Sequence, residues 1–120
     1  MKILLVEDEP FNLMVLEEMI KIFYTNIKII TAENGQVAYE ILKTDLFDLI
    51  LSDIDMPLMD GYALIKKIKG ELNLQIPTIA LTAFAIQGDK ENLLLAGFDD
   101  YVPKPIDMKK LQLLLKKYLG

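Results

Sequence analysis

The chain has 120 residues, 52% of them apolar, and a formal net charge of −5. That is long enough for one domain with its own core, and too apolar for a disordered chain. There is no cysteine, histidine or arginine, which excludes a disulfide framework, a thiolate nucleophile, histidine-ligated zinc and a Ser-His or Cys-His catalytic site.

The acidic balance speaks against a nucleic-acid-binding domain, which normally shows a basic patch. No apolar run approaches the ~20 residues of a membrane span. The N-terminal "MKILLVEDEP" begins like a signal peptide, but acids follow its short apolar run directly, so no secretory leader is expected. The expectation is a cytoplasmic protein with no direct nucleic-acid contact and no membrane insertion.

In chain order, Lys2–Val6 reads as the first strand. Pro10 to about Tyr24 reads as a helix, with proline in its first turn. Leu13, Leu16, Ile20 and Phe23 form its inward track, while Phe11, Val15 and Ile22 fall on another face flanked by Met14 and Met19. Lys28–Thr31 is the second strand. Asn34 to Lys43 is a helix capped by Asn34, with Val37, Ala38, Ile41 and Leu42 on one side. Leu46–Ser52 is the third strand. Asp60 to Lys69 is a helix with Asp60 as N-cap, Leu64, Ile65 and Ile68 inward, and Gly70 as its stop. Thr78–Thr82 is the fourth strand, and Asp89 to Ala96 a helix closed by Gly97. Asp100–Val102 is a fifth strand by its position alone. Asp107 to Leu119 is the last helix, with Asp107 as cap, Leu111, Leu114 and Leu115 inward, and lysines late where the helix dipole favours them. The lysine pairs at 66–67, 109–110 and 116–117 read as solvated faces, and Asp99-Asp100 as solvated turn acids.

The first four strands are rich in Ile, Leu and Val without polar alternation, the pattern of strands buried on both faces. Strand and helix alternate five times with short joins, which implies a parallel sheet with helices on both sides. In open sheets of this kind, sites form beyond the carboxyl ends of the strands. Those ends carry Glu7-Asp8-Glu9, Asp53 with Asp55 two further on, Thr82-Ala83, and Lys104-Pro105. If the first, third, fourth and fifth strands lie together, these groups converge. Two like charges about 4 Å apart cost ~4 kcal/mol at an effective dielectric near 20, so the acids require a cation or partial protonation. Lys104 supplies one positive charge, and a hard divalent ion such as Mg²⁺ suits the oxygen ligands. An aspartate beside such an ion and a lysine can act as a nucleophile toward phosphorus, with Thr82 able to donate to a phosphoryl oxygen.

The motifs "ILLVEDE", "DLILSDIDMPLMDG", "IPTIALTA" and "DDYVPKP" agree in order, spacing and strand-end placement with one family. Across Lys2 to Leu119 the chain resembles the receiver domain of two-component response regulators, of the chemotaxis-regulator type, and is also similar to the receivers of hybrid kinases and single-domain receivers. The resemblance implies a (βα)5 doubly wound, three-layer, flavodoxin-like α/β fold with strand order 2-1-3-4-5, occupying residues 1–120 as one domain. It implies that Asp53 accepts a phosphoryl group from a histidine on a partner kinase or phosphotransfer protein, as part of a phosphorelay that switches the surface for a downstream protein target. It implies a Mg²⁺ (or Mn²⁺) site of Asp8, Asp53 and the backbone carbonyl of Asp55, with Glu7 acting through water. Glu7 stands where Asp is commoner, one methylene longer. Lys104 is then the phosphoryl contact, on a cis bond to Pro105. Thr82 and Tyr101 form a coupled switch pair, and Asp55 and Phe84 tune the phosphoryl lifetime by controlling water access. The first helix is expected to dock on the donor through Phe11 and Val15, with Pro105 nearby.

Plainer roles stand beside these. Glu7-Asp8-Glu9 can serve as helix-start acids, Asp53 as a turn former, Thr82 as an ordinary strand end, Tyr101 as packing and Lys104 as a surface lysine. Asp60 is expected to cap its helix and take no part in the chemistry. A haloacid-dehalogenase-like phosphatase also places Asp-x-Asp after an apolar strand, but on its first strand, with its metal acids after the lysine. A flavodoxin needs a phosphate loop where this chain has "EDEP", which repels phosphate. A receiver-like binding module that is never phosphorylated is the remaining alternative. The expected protein is not an enzyme beyond its own aspartyl phosphorylation and dephosphorylation. Met1 suits a natural start, and both a stand-alone receiver and a domain of a longer regulator are compatible with the sequence.

Overall fold

β1 (Lys2–Val6) pairs with β2 (Lys28–Ala32) on one side and β3 (Leu49–Asp53) on the other; β4 (Thr78–Thr82) and β5 (Asp100–Pro103) complete a sheet of order 2-1-3-4-5. All four pairings are parallel. The structure, a computed structural model, describes residues 1–83 and 87–120, with side chains for 1–83 and 90–120. Around the sheet lie α1 (Pro10–Phe23), α2 (Gly35–Leu42), α3 (Gly61–Lys66), α4 (Gln87–Ala96) and α5 (Met108–Leu119).

Alternation along β1 divides its side chains between two cores. Leu4 and Val6 join Ala38, Leu42, Leu64, Ile65 and Leu93 from α2, α3 and α4. Ile3 and Leu5 join Leu16, Ile20, Leu111 and Leu115 from α1 and α5. Burial on both faces explains why β1, β3 and β4 are dominated by Ile and Leu without polar alternation, and each buried Leu or Ile contributes roughly 2 kcal/mol. The helix starts follow the expected caps. Val37 N–H donates to Asn34 Oδ1 (2.9 Å), Ala63 N–H to Asp60 Oδ1 (2.8 Å) and Lys109 N–H to Asp107 Oδ1 (2.7 Å).

Several boundaries differ from expectation. The third strand runs from Leu49 to Asp53, not from Leu46 to Ser52. Leu46 is 73% exposed; its N–H is turned onto Asp45 Oδ1 (2.9 Å), and Asp48 receives the Lys2 N–H (2.8 Å) at the sheet's edge. Asp53 therefore ends the strand from within it. β2 and β5 each extend one residue further, to Ala32 and Pro103. α4 begins at Gln87, before Asp89. Gly70 does not stop the third helix: the chain passes from α3 into a π-helical turn, Lys67–Glu71, closed by Leu72 N–H on Lys67 O (2.8 Å). Gly97 does close α4, at φ 118°. Asp99 and Asp100 are not plain solvated acids. Asp99 Oδ2 accepts the Thr78 N–H (2.8 Å), and Asp100 Oδ2 meets Lys117 Nζ (3.4 Å), so both tie strands to neighbouring elements.

Candidate active site

The register brings four strand ends together. Val6 of β1 is level with Ser52 of β3, and Asp53 with Leu81 of β4, while Thr82 faces Pro103 of β5. Glu7 continues β1 by donating its N–H to Ala32 O (3.1 Å), and Lys104 continues β5 by donating to Thr82 O (2.7 Å). Backbone pairing alone thus sets Glu7, Asp53, Thr82 and Lys104 along one edge. The Lys104-Pro105 bond is cis.

Lys104 Nζ lies 3.1 Å from Glu7 Oε2 and 3.1 Å from Asp53 Oδ2. Asp53 is only 7% exposed and Glu7 3%. Glu7, Asp8 and Asp53 each offer one carboxylate oxygen, all within 4.8 Å of one another; Asp8 is the solvent-facing member. Three carboxylates thus face one ammonium. Burial, reinforced by the neighbouring Asp53 charge, pushes the Glu7 carboxyl above its ordinary range despite the opposing pull of Lys104. Burial acts to lower Lys104, but the Asp53 and Glu7 charges outweigh it and hold the ammonium above its ordinary range.

Asp53 is also held by its own chain. Ile54 N–H donates to Asp53 Oδ1 (2.8 Å), leaving Oδ2 toward Lys104. Gly61 closes the following turn by donating to Ile54 O (2.8 Å), and a Cβ there would lie 2.6 Å from Asp53 O, so only glycine fits this approach.

The remaining expected residues divide. The Asp55 side chain is exposed and outside the three-carboxylate group, and Asp60 is occupied in capping α3. Thr82 is buried at the end of β4. Tyr101, level with Ala80, packs half-buried against the core layer of α2, α3 and α4, with Lys90 Nζ 5.9 Å from its ring centroid. Alternation puts Ala80 and Thr82 on one face of the sheet, so Thr82 and the Tyr101 ring share a side. Phe84 lies outside the described residues. Glu9 is a helix-start acid, accepting the Asn12 N–H (2.8 Å) as the cap of α1.

Phe11, Val15 and Pro105 border one groove of ≈ 470 Å³ that has Glu7 and Lys104 at its site end. Phe11 is 64% exposed, so the apolar residues on this side of α1 are not all absorbed by the core. The groove also includes Met19, which the helical spacing places beside Phe11 and Val15, and Ala83 and Ile106, which sequence reasoning missed because each reads as ordinary loop packing. Asn12, whose amide reaches Glu7 Oε1 at 3.4 Å, was missed too; its only signal is a polar residue in the first turn of α1.

The sequence pattern of the response regulator receiver domain matches residues 3–116. This chain is a member of that family. As a receiver it belongs to two-component and phosphorelay signalling, and the phosphatase and flavodoxin alternatives fall away. Its structure is similar to the receiver domain of sensor histidine kinase PA1611 from Pseudomonas aeruginosa PAO1. The TM-score is 0.85 at 36% identity, over 99% of this chain and 97% of that one, and that receiver has a magnesium ion coordinated in its active site cleft. It is similar also to the co-crystal structure of the Saccharomyces cerevisiae histidine phosphotransfer signaling protein Ypd1 and the receiver domain of its downstream response regulator Ssk1. That match has a TM-score of 0.88 at 28% identity, over 98% of this chain and 88% of that one. Among curated relatives, the signal transduction histidine-protein kinase BarA of Escherichia coli K12 is 39% identical over 121 residues, covering 98% of this receiver. The receiver spans 13% of the length of that relative. Among the described residues, no helix is long and apolar enough to cross a membrane.

Proposed function

We propose that Asp53 is the phosphoacceptor of this receiver, taking a phosphoryl group from a phosphohistidine on a histidine kinase or histidine phosphotransfer protein. These 120 residues hold no histidine, so the donor histidine lies outside them. The observation that carries this reading is the placement of Asp53. It is a nearly buried carboxylate with one oxygen held by Ile54 N–H and the other 3.1 Å from Lys104 Nζ, beside two further carboxylates.

Asp53 Oδ2 attacks phosphorus, the P–N bond to the donor imidazole breaks, and its electron pair stays on the imidazole nitrogen. Lys104 exchanges Glu7 and Asp53 for a phosphoryl oxygen, and Thr82 donates its hydroxyl to another. Turning Thr82 toward the phosphoryl group vacates space on the face it shares with Tyr101, and the ring moves into it as the switch.

The surplus of hard oxygen donors over the single ammonium fits a divalent cation, Mg²⁺ or Mn²⁺, held by Asp8, Asp53 and the Asp55 carbonyl, with Glu7 reached through water. When bound, the ion neutralises carboxylate charge and charge on the transferring phosphoryl oxygens. Asp55 and Phe84 tune the lifetime of the acyl phosphate by setting how water reaches it. The group is gained and lost stoichiometrically, without turnover of a separate substrate. Phe11, Val15 and Pro105 receive the donor's helical bundle, since they border a groove that leads to Lys104. A cytoplasmic location follows from the phosphohistidine donor.

The test is labelling with acetyl phosphate and Mg²⁺. Wild type forms a hydroxylamine-sensitive acyl phosphate and Asp53→Asn forms none; undiminished acyl phosphate in the variant refutes the assignment. Phe11→Ala with Val15→Ala slows transfer from the cognate histidine donor and leaves acetyl phosphate labelling unchanged. Equal transfer from the histidine donor by a folded variant removes the docking role.

A further inference from the structure

Ser52 sits inside the sheet with no exposed surface, between Val6 of β1 and Ala80 of β4. Alternation turns its side chain to the same face as Ile50, away from Asp53. That face is the apolar layer of Leu4, Val6, Ile50 and Ala80. A hydroxyl in such a layer costs desolvation unless it is bonded, and an apolar side chain fills the space without that cost. Packing therefore gives no reason for serine here.

The hydroxyl does have a partner. Ser52 Oγ donates to the backbone carbonyl oxygen of Asp53 at 2.9 Å. This carbonyl marks the point where β3 ends and the chain turns. Three further restraints meet there: Ile54 N–H on Asp53 Oδ1 (2.8 Å), Gly61 N–H on Ile54 O (2.8 Å), and the close approach of Gly61 to the same Asp53 oxygen. The aspartate carboxylate hangs on two rotatable bonds, so a tilt of its peptide swings both oxygens. Such a tilt loosens the Ile54 bond and moves Oδ2 from its 3.1 Å contact with Lys104.

We propose that Ser52 is a positioning residue for phosphoryl transfer, its hydroxyl anchoring the Asp53 peptide so that the carboxylate is held at its angle of attack. The proposal rests on Asp53 being the phosphoacceptor. Ser52 touches neither donor nor phosphoryl group and acts through Asp53 alone.

Ser52→Thr and Ser52→Val have nearly the same shape and differ in the hydroxyl, and Ser52→Ala removes it without added bulk. The full chain is labelled with acetyl phosphate at saturating Mg²⁺, and thermal unfolding is followed on the same samples. Ser52→Val and Ser52→Ala are expected to label about tenfold more slowly, with Ser52→Thr within about twofold of wild type, because small misplacements of a reacting group cost rate steeply. A merely structural hydroxyl lowers the unfolding midpoint of the valine and alanine variants and leaves their rates alone. A Ser52→Val rate equal to that of Ser52→Thr, or a Ser52→Ala rate within about twofold of wild type, overturns the proposal. Should the branched pair not fold, Ser52→Ala decides by the same criterion. Wild type that takes no label is a different result: it defeats the acceptor assignment and this inference with it.

Discussion

At the amino ends of the strands, acids are matched to their own partners. Lys2 Nζ meets Asp45, the Lys2 N–H donates to Asp48 Oδ2 (2.8 Å), and Asp99 both accepts the Thr78 N–H (2.8 Å) and pairs with Lys69 (3.5 Å). At the carboxyl ends Glu7 and Asp53 share Lys104, and Asp8 stands within reach of both carboxylates. The first arrangement ties strand starts to their neighbours. The second leaves negative charge uncompensated in a nearly buried place, which costs stability and makes sense as a seat for something positive. One end of the sheet ties its strands to neighbouring elements, and the other gathers the charged groups proposed to carry the phosphoryl chemistry.

Removing the one cation at the charged end is expected to have the largest effect. Lys104→Ala leaves Glu7 and Asp53 without their ammonium; labelling by acetyl phosphate falls about a hundredfold, the loss typical of one electrostatic donor. A rate near wild type makes Lys104 a bystander.

Glu7→Gln sharpens the comparison with the opposite sign. The Glu7 carboxyl is raised above its unfolded value by burial and by Asp53. Its contribution to stability is therefore fully present below the unfolded value and lost as pH rises through the folded one. Metal-free Glu7→Gln should unfold at a higher temperature than wild type near neutral pH, with the gap closing as pH falls toward the ordinary carboxylate range. A variant less stable than wild type across that range shows that the Lys104 contact outweighs the burial of Glu7.

The smallest effect belongs to the amino end. Asp99→Ala removes the bond to Thr78 N–H and the pair with Lys69, costing about 1–2 kcal/mol of stability by denaturant unfolding, while the labelling rate stays at the wild-type value. A slowed rate means that the two ends are not separable.

The sequence carries the site more fully than its surroundings. Strand ends can be read from where apolar runs stop, so Glu7, Asp8, Asp53, Thr82 and Lys104 were identifiable before their contacts. The same signal misplaced the start of β3, because Leu46 and Phe47 extend the apolar run while Phe47 packs into the core outside the ladder. Gly70 looked like a helix stop, yet the chain continues through it in a π-helical turn, since glycine permits a stop without forcing one. Asp99 and Asp100 looked like loop acids because their partners, Thr78 and Lys117, are distant in sequence. The Glu7–Lys104 contact spans 97 positions, and the extra methylene of Glu7 left its reach open in the sequence.

Thermal unfolding with and without Mg²⁺ at constant ionic strength tests most directly whether the charge surplus is a cation seat. Wild type should gain stability as Mg²⁺ rises, by mass action on the folded state, and Asp8→Asn with Asp53→Asn should gain none. An equal gain in both proteins, or none in wild type, contradicts the account.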